Sequence, residues 1–120
     1  MTLEIRTKRI YDPAAPADGI RVLVDRVWPR GIRKDKAMIV AWLKEIAPST
    51  ALRQWFGHRP ERWKGFLHRY AQELDRNQAA VAGLRELMEK DGRVTLLFAA
   101  HDMDHNNAVA LAQYLRGRKI

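Results

Sequence analysis

Residues 20–31, IRVLVDRVWPRG, decide how the rest of the chain is arranged. Ile20, Val22, Leu23 and Val24 form an apolar run of the kind that a strand covered on both faces requires. Within three residues the character changes. Asp25, Arg26, Trp28, Pro29, Arg30 and Gly31 put one acid, two guanidiniums and an indole where the strand, expected over about 20–27, should end. Loops at strand ends, held by a rigid sheet, are where binding chemistry concentrates.

Working outward, a second strand is expected over 93–100, RVTLLFAA, whose near-continuous hydrophobicity again implies two covered faces. Toward the N-terminus, residues 3–10 alternate, with Leu3, Ile5 and Thr7 on one side and Glu4, Arg6 and Lys8 on the other. That is the pattern of an edge or half-exposed strand. The intervening YDPAAPADG is turn material.

Between the two apolar strands the chain reads as helical. Asp35 is a candidate N-cap for a helix carrying Met38, Ile39, Trp42, Leu43 and Ile46, stopped by Pro48. Ser49 or Thr50 can cap a short helix with Leu52, Trp55 and Phe56, and Gly57 suits its C-terminal end. Pro60 fits the first position of a helix presenting Trp63, Phe66, Leu67, Tyr70 and Leu74. A further helix over 78–90 buries Val81, Leu84, Leu87 and Met88 before Asp91-Gly92. After HDMDHNN, a last helix carries Ala108, Leu111, Ala112 and Leu115, with Asp104 or Asn106 as its cap. The expected fold is α/β: a small parallel or mixed sheet of three to four strands flanked by helices, with a helical insert between the two central strands. Helices clustered on one side, in an α+β arrangement, would give the same pattern.

At 120 residues the chain has the size of a single domain, 1–120. It has no cysteine, which excludes disulfides, zinc thiolates and a thiol nucleophile, and fits a reducing compartment. No signal-peptide pattern opens it and no apolar run reaches the length of a membrane span, so a soluble cytoplasmic protein is expected. The net charge of +8 favours anionic partners: nucleic acid, nucleotides, phosphorylated metabolites or an acidic protein.

If the two apolar strands run parallel, DRVWPRG and HDMDHNN meet at one sheet edge, the place where open α/β proteins bind ligands. That edge would gather Asp25, Arg26, Trp28, Arg30, His101, Asp102, Asp104, His105, Asn106 and Asn107, with the N-terminus of the last helix adding backbone donors. Arginine forks suit phosphate or carboxylate, and Trp28 offers a ring for stacking. The ligand-binding candidates are Arg26, Trp28, Arg30, His101, Asp102 and Asn106; Asp25 and His105 are the acid–base candidates for an enzyme. Duller roles compete: Asp25 and Arg26 as a structural pair, Trp28 as a packed wall, Asp104 and Asn106 as caps. His101, Asp102, Asp104 and His105 crowd together, but H-D-x-D-H matches no established ligand pattern, so no metal is expected. Ser49 is the only serine and reads as a cap, and neither a Walker loop nor G-x-G-x-x-G is present, so no cofactor is expected.

In QWFGHRPERW, residues 54–63, Arg59, His58 and Arg62 interleave with Trp55, Phe56 and Trp63, preceded by Arg53. A single-strand nucleic-acid surface has that composition, yet the same aromatics occupy the core positions of a helical hairpin. Core packing is the stronger reading, with some of these arginines reaching the sheet edge.

Three blocks in order, VLVDRVWPRG, AWLKEIAPSTALRQWFGHRPERWKGF and VTLLFAAHDMDHNNAVAL, resemble the YeaO-like proteins, a bacterial and archaeal family of unknown function. The resemblance spans nearly the whole chain and implies an α/β domain without an established reaction. It also implies importance for Asp25, Arg26, Trp28, Pro29, Arg30 and Gly31, and for His105 with Asn106. Broader relatives often carry a cysteine after the last strand; His105, Asn106 and Asn107 stand there here, so thiol chemistry does not apply. The leading expectation is a site for an anionic, phosphate-bearing small molecule or nucleotide, with acid–base catalysis as an addition. A nucleic-acid-binding module and a protein-interaction domain are the alternatives.

Overall fold

A computed structural model describes residues 3–117. Four strands, β1 (Glu4–Arg9), β2 (Ile20–Leu23), β3 (Ala41–Trp42) and β4 (Arg93–Phe98), form one sheet in the order β1-β4-β2-β3. Every pairing is parallel. The helices are α1 (Thr50–Phe56), α2 (Trp63–Asp75), α3 (Gln78–Asp91) and α4 (Asn107–Gly117). The fold is therefore α/β, with α1 to α3 inserted between β2 and β4, the two central strands. β1 lies at an edge, as its alternating pattern implied.

Both faces of the central strands are covered, by different means. Val22, Val24, Val94, Leu96 and Phe98 pack against the helices, meeting Phe66, Tyr70 and Leu74 of α2, Leu84 of α3 and Leu111 of α4. The Tyr70 hydroxyl is buried there and donates to the Ile46 carbonyl at 2.6 Å, which satisfies it; burial pushes the phenol far above its ordinary range. The other face holds Ile10, Leu23 and Leu97, covered by irregular chain through Trp28, Ile32 and Ile39 and by Trp42 of β3. On that same face Arg21, 7% exposed, donates to Asp18 at 2.7 Å and to the Ala37 and Met38 carbonyls. Lys8 completes the cluster on Asp18 at 3.1 Å. A buried charge needs such company.

The caps follow the sequence. Ser49 Oγ accepts from Leu52 N at 3.1 Å, and Gly57 ends α1 at φ 52°. Pro60 opens a 3-10 turn, Pro60–Arg62, that leads into α2. Asn106 caps α4 by accepting from Val109 N at 2.9 Å; Asp104 is exposed and caps nothing.

One expected element is absent. No helix follows Asp35, whose carboxylate pairs with Arg33 instead. A 3-10 turn, Lys34–Lys36, leads to Met38 at φ 54°, and the chain then straightens along β2. Val40 N donates to the Arg21 carbonyl and Leu43 N to the Leu23 carbonyl. The open edge of β2 presented backbone groups that only a strand could satisfy, and those bonds outweighed local helical periodicity. Ile39 and Trp42 pack on Leu23 and Leu97, while Leu43 and Ile46 join the helical side. Met38, assigned to a buried stripe, is 70% exposed.

The strand ends are also shorter than expected, and the reason positions the site. Val24 N donates to the Leu97 carbonyl, so the next rung of a parallel ladder would run from Ala99 N to the Val24 carbonyl. Side chains take that rung over. Ala99 N donates to Asp25 Oδ2 at 3.0 Å, and Asn107 Nδ2 donates to the Val24 carbonyl at 2.9 Å. The two strands splay there and a hollow opens.

Candidate functional site

The hollow has a volume of about 1280 Å³ and lies beyond the carboxyl ends of β2 and β4. One wall is the segment from Val27 to Arg33, a second is α1 with Thr50, Arg53 and Gln54, and a third is Ala99 to Asp102 with the start of α4. Phe56 and Phe66 reach it from the helical core. The crevice follows from two adjacent parallel strands ending side by side, where α/β sheets place their ligands.

Asp25, Trp28, Arg30, His101, Asp102, His105 and Asn106 all line it. Arg26 does not. Its guanidinium donates to the Ala47 and Pro48 carbonyls at 3.0 and 3.3 Å, fastening the turn before α1. Asp25 and Arg26 therefore make no pair with each other. Trp28 is a wall: its Nε1 donates to the Ile32 carbonyl at 2.7 Å, and its ring meets Trp42 edge-on at 5.3 Å.

Three polar lining residues were not singled out from the sequence as site candidates: Arg33, Thr50 and Gln54. Arg53 and His58, first noted among the aromatic-basic cluster, also reach the hollow. Thr50, Arg53 and Gln54 lie at i, i+3 and i+4, so one helix face presents them together once α1 is placed. That spacing was available in the sequence; the direction of the face was not.

The carboxylates here are bonded within the chain. Burial pushes the Asp25 carboxyl above its ordinary range, against the opposing pull of Asn107, the Ala99 N–H and the Arg53 charge. Asn107 Nδ2 reaches Asp25 Oδ1 at 2.9 Å, and Ala99 N reaches Oδ2. Asp102 Oδ1 accepts from Asp104 N at 2.9 Å and His105 N at 3.1 Å, and Oδ2 lies 3.0 Å from His105 Nδ1. The Asp104 N–H, then His105, hold the Asp102 carboxyl below its usual value. When the His105 ring is neutral, this contact places its proton on Nδ1 and leaves Nε2 as the acceptor. Trp63 meets the same ring edge-on at 5.2 Å.

The cations differ. Arg30, Arg53, His58 and His101 line the hollow, and among the described residues their side chains make no hydrogen bond or ion pair, although the Arg53 charge acts on Asp25. Among the described residues no group of three or more acidic or histidine side chains is arranged to hold a metal ion. No helix among them is long and apolar enough to cross a membrane.

The aromatics of 54–63 belong to the packing. Phe56 is buried against Phe66 at 4.6 Å, Trp63 stacks on Phe66 at 5.6 Å, and Trp55 lies over Gly65 beneath Arg69.

Fold and hollow together define a small parallel α/β domain with a ligand-sized crevice at the strand carboxyl edge. A family described as the inactive DUF488-N3 subclade matches residues 4–119. Uncharacterised proteins of Mycobacterium tuberculosis and Mycobacterium bovis are each 46% identical over 114 residues, covering 95% of this chain and 95% of theirs. The uncharacterised protein YeaO of Escherichia coli is 40% identical over 114 residues, 95% of this chain and 98% of its own. No solved structure gives a significant match. The chain belongs to this YeaO-like family.

Proposed function

We propose that the hollow binds an anionic, phosphate-bearing small molecule or a nucleotide. One contrast carries this reading: the carboxylates of the hollow are bonded to the chain's own donors, whereas the side chains of Arg30, Arg53, His58 and His101 hold no acceptor among the described residues. A site so arranged presents unpaired positive charge to whatever enters. The volume accommodates a nucleotide-sized ligand with water around it.

The family description "inactive" agrees with a site that does not turn its ligand over. If turnover is found, His105 Nε2 is the base that the Asp102 contact orients, and Asp25, with its raised carboxyl, is the acid. A cytoplasmic setting agrees with a chain free of cysteine. The test is a thermal-shift screen with inorganic phosphate, nucleoside phosphates and sugar phosphates. Stabilisation that disappears in Arg30→Ala/Arg53→Ala supports the reading; no shift with any anion in the wild type refutes it.

A further inference from the structure

The positive surplus is not spread over the chain. Residues 26–69 contain eleven lysines and arginines against three acids, while the remainder contains eleven against eleven, so this segment carries the whole net charge of +8. The same segment builds most of the hollow's rim. Arg30 and Arg33 stand on one side, Arg53 and His58 on another. Past His58 the chain runs through the turn Pro60–Arg62 into α2, whose Trp63 touches His105 and whose Phe66 lines the hollow. Arg59 follows the lining residue His58 and Lys64 follows Trp63 along the chain; both are exposed, their side chains are unbonded among the described residues, and neither lines the hollow.

A free mononucleotide would use the cations inside. It would leave Arg59 and Lys64 without a purpose. A ligand whose phosphates continue past the mouth uses both. Apolar groups of Val27, Trp28, Ile32 and Phe56 share the lining of the hollow with Arg30, Arg33 and Arg53, a mixture that suits a base and its phosphate. A base buried in a duplex cannot present that face. Resting on the binding reading above, we infer that the physiological ligand is a single-stranded nucleic acid whose terminal nucleotide seats in the hollow while the following phosphates track along Arg59 and Lys64. Because Trp55 and Trp63 are committed to packing, contact outside the hollow is with the backbone, and binding there is independent of base sequence.

Fluorescence anisotropy with a 5′-phosphorylated oligothymidylate of about ten nucleotides, beside thymidine monophosphate by calorimetry, tests this. The oligomer is expected to bind at least about tenfold more tightly than the monophosphate at low salt, with a log–log salt slope of about −0.7 for each phosphate neutralised. Arg59→Glu/Lys64→Glu should bring the oligomer to within about twofold of the monophosphate and leave the monophosphate and the melting temperature unchanged. A monophosphate that binds as tightly as the oligomer overturns this inference and leaves the binding reading standing. No binding of either overturns both. A duplex binding as tightly as the single strand, or polyglutamate competing as well as the oligomer, overturns the single-strand assignment.

Discussion

Asn107 Nδ2 donates at 2.9 Å both to the Val24 carbonyl and to Asp25 Oδ1, so one amide at the start of α4 closes the end of β2 and steadies the acid beside it. Asp25 in turn accepts from Ala99 N at the end of β4, and its carbonyl receives Trp42 Nε1 at 2.7 Å from β3. Three strands and a helix meet at this one residue. The hollow keeps its shape because the side chains that terminate the ladder also tie its walls together.

Asn107→Ala should destabilise the fold by about 1–3 kcal/mol, since it strands a strand-end carbonyl and removes one of Asp25's donors. The sign of its pH dependence is fixed. Asp25's folded carboxyl lies above its unfolded value, so the folded state holds the proton more tightly and stability falls as pH rises through that interval. Asn107 opposes that rise. The deficit of the variant should therefore be larger at pH about 7 than at pH about 4, measured by urea denaturation; an equal deficit at both would show that Asn107 does not act on Asp25's charge.

Arg26 and Arg53 should behave in opposite ways. Arg26 holds the Ala47 and Pro48 carbonyls, so Arg26→Ala is expected to cost about 1–3 kcal/mol of stability while anion binding persists. The Arg53 side chain makes no hydrogen bond among the described residues and lines the hollow, so Arg53→Ala should weaken phosphate binding at least about tenfold, the scale of a lost charge-assisted bond, with melting nearly unchanged. Melting curves with and without phosphate separate the two. A stable Arg26 variant that no longer binds would reverse the assignment.

The buried cluster under the sheet makes a sharper stability prediction. Asp18→Asn leaves the Arg21 guanidinium, 7% exposed, without its counter-charge and should cost about 3–5 kcal/mol. Burial works to raise the Asp18 carboxyl, but the Ala15 N–H, Arg21 and Lys8 more than offset it, and the folded value lies below the ordinary one. Its contribution is therefore present above the unfolded value and is lost as pH falls through the folded one. Wild type and variant should converge in acid, and denaturation curves that stay parallel down to pH about 2 would contradict this.

His105 offers a spectroscopic check. With Asp102 Oδ2 at 3.0 Å from Nδ1, the neutral ring should be held as the Nδ1-protonated tautomer, visible in its nitrogen chemical shifts. Asp102→Ala should return the ring to a mixture in which the Nε2-protonated form prevails. A wild-type ring already in that mixture would remove His105 Nε2 as the oriented base.

Much of this organisation was legible in the sequence because it is local. The apolar runs at Val22–Val24 and Val94–Phe98 require two covered faces wherever they are placed. Ser49, Gly57 and Asn106 cap helices through contacts a few residues away. The α2 stripe of Phe66, Tyr70 and Leu74 is set by helical period alone. The meeting of DRVWPRG with HDMDHNN required one further condition, that the strands run parallel and adjacent, which they do.

What the sequence by itself determined is thus the strand cores, the capping of helices and the residues stationed at the strand ends. Tertiary structure alone decided the rest. It turned the Ile39–Leu43 region into an edge strand, because the free backbone groups of β2 offered bonds that no isolated helix could know of. It buried Arg21 beside Asp18, turned Arg26 toward carbonyls and Arg53 toward the hollow. Those outcomes depend on which distant groups a charge meets as it leaves water, and that is a property of the folded chain and not of any stretch within it.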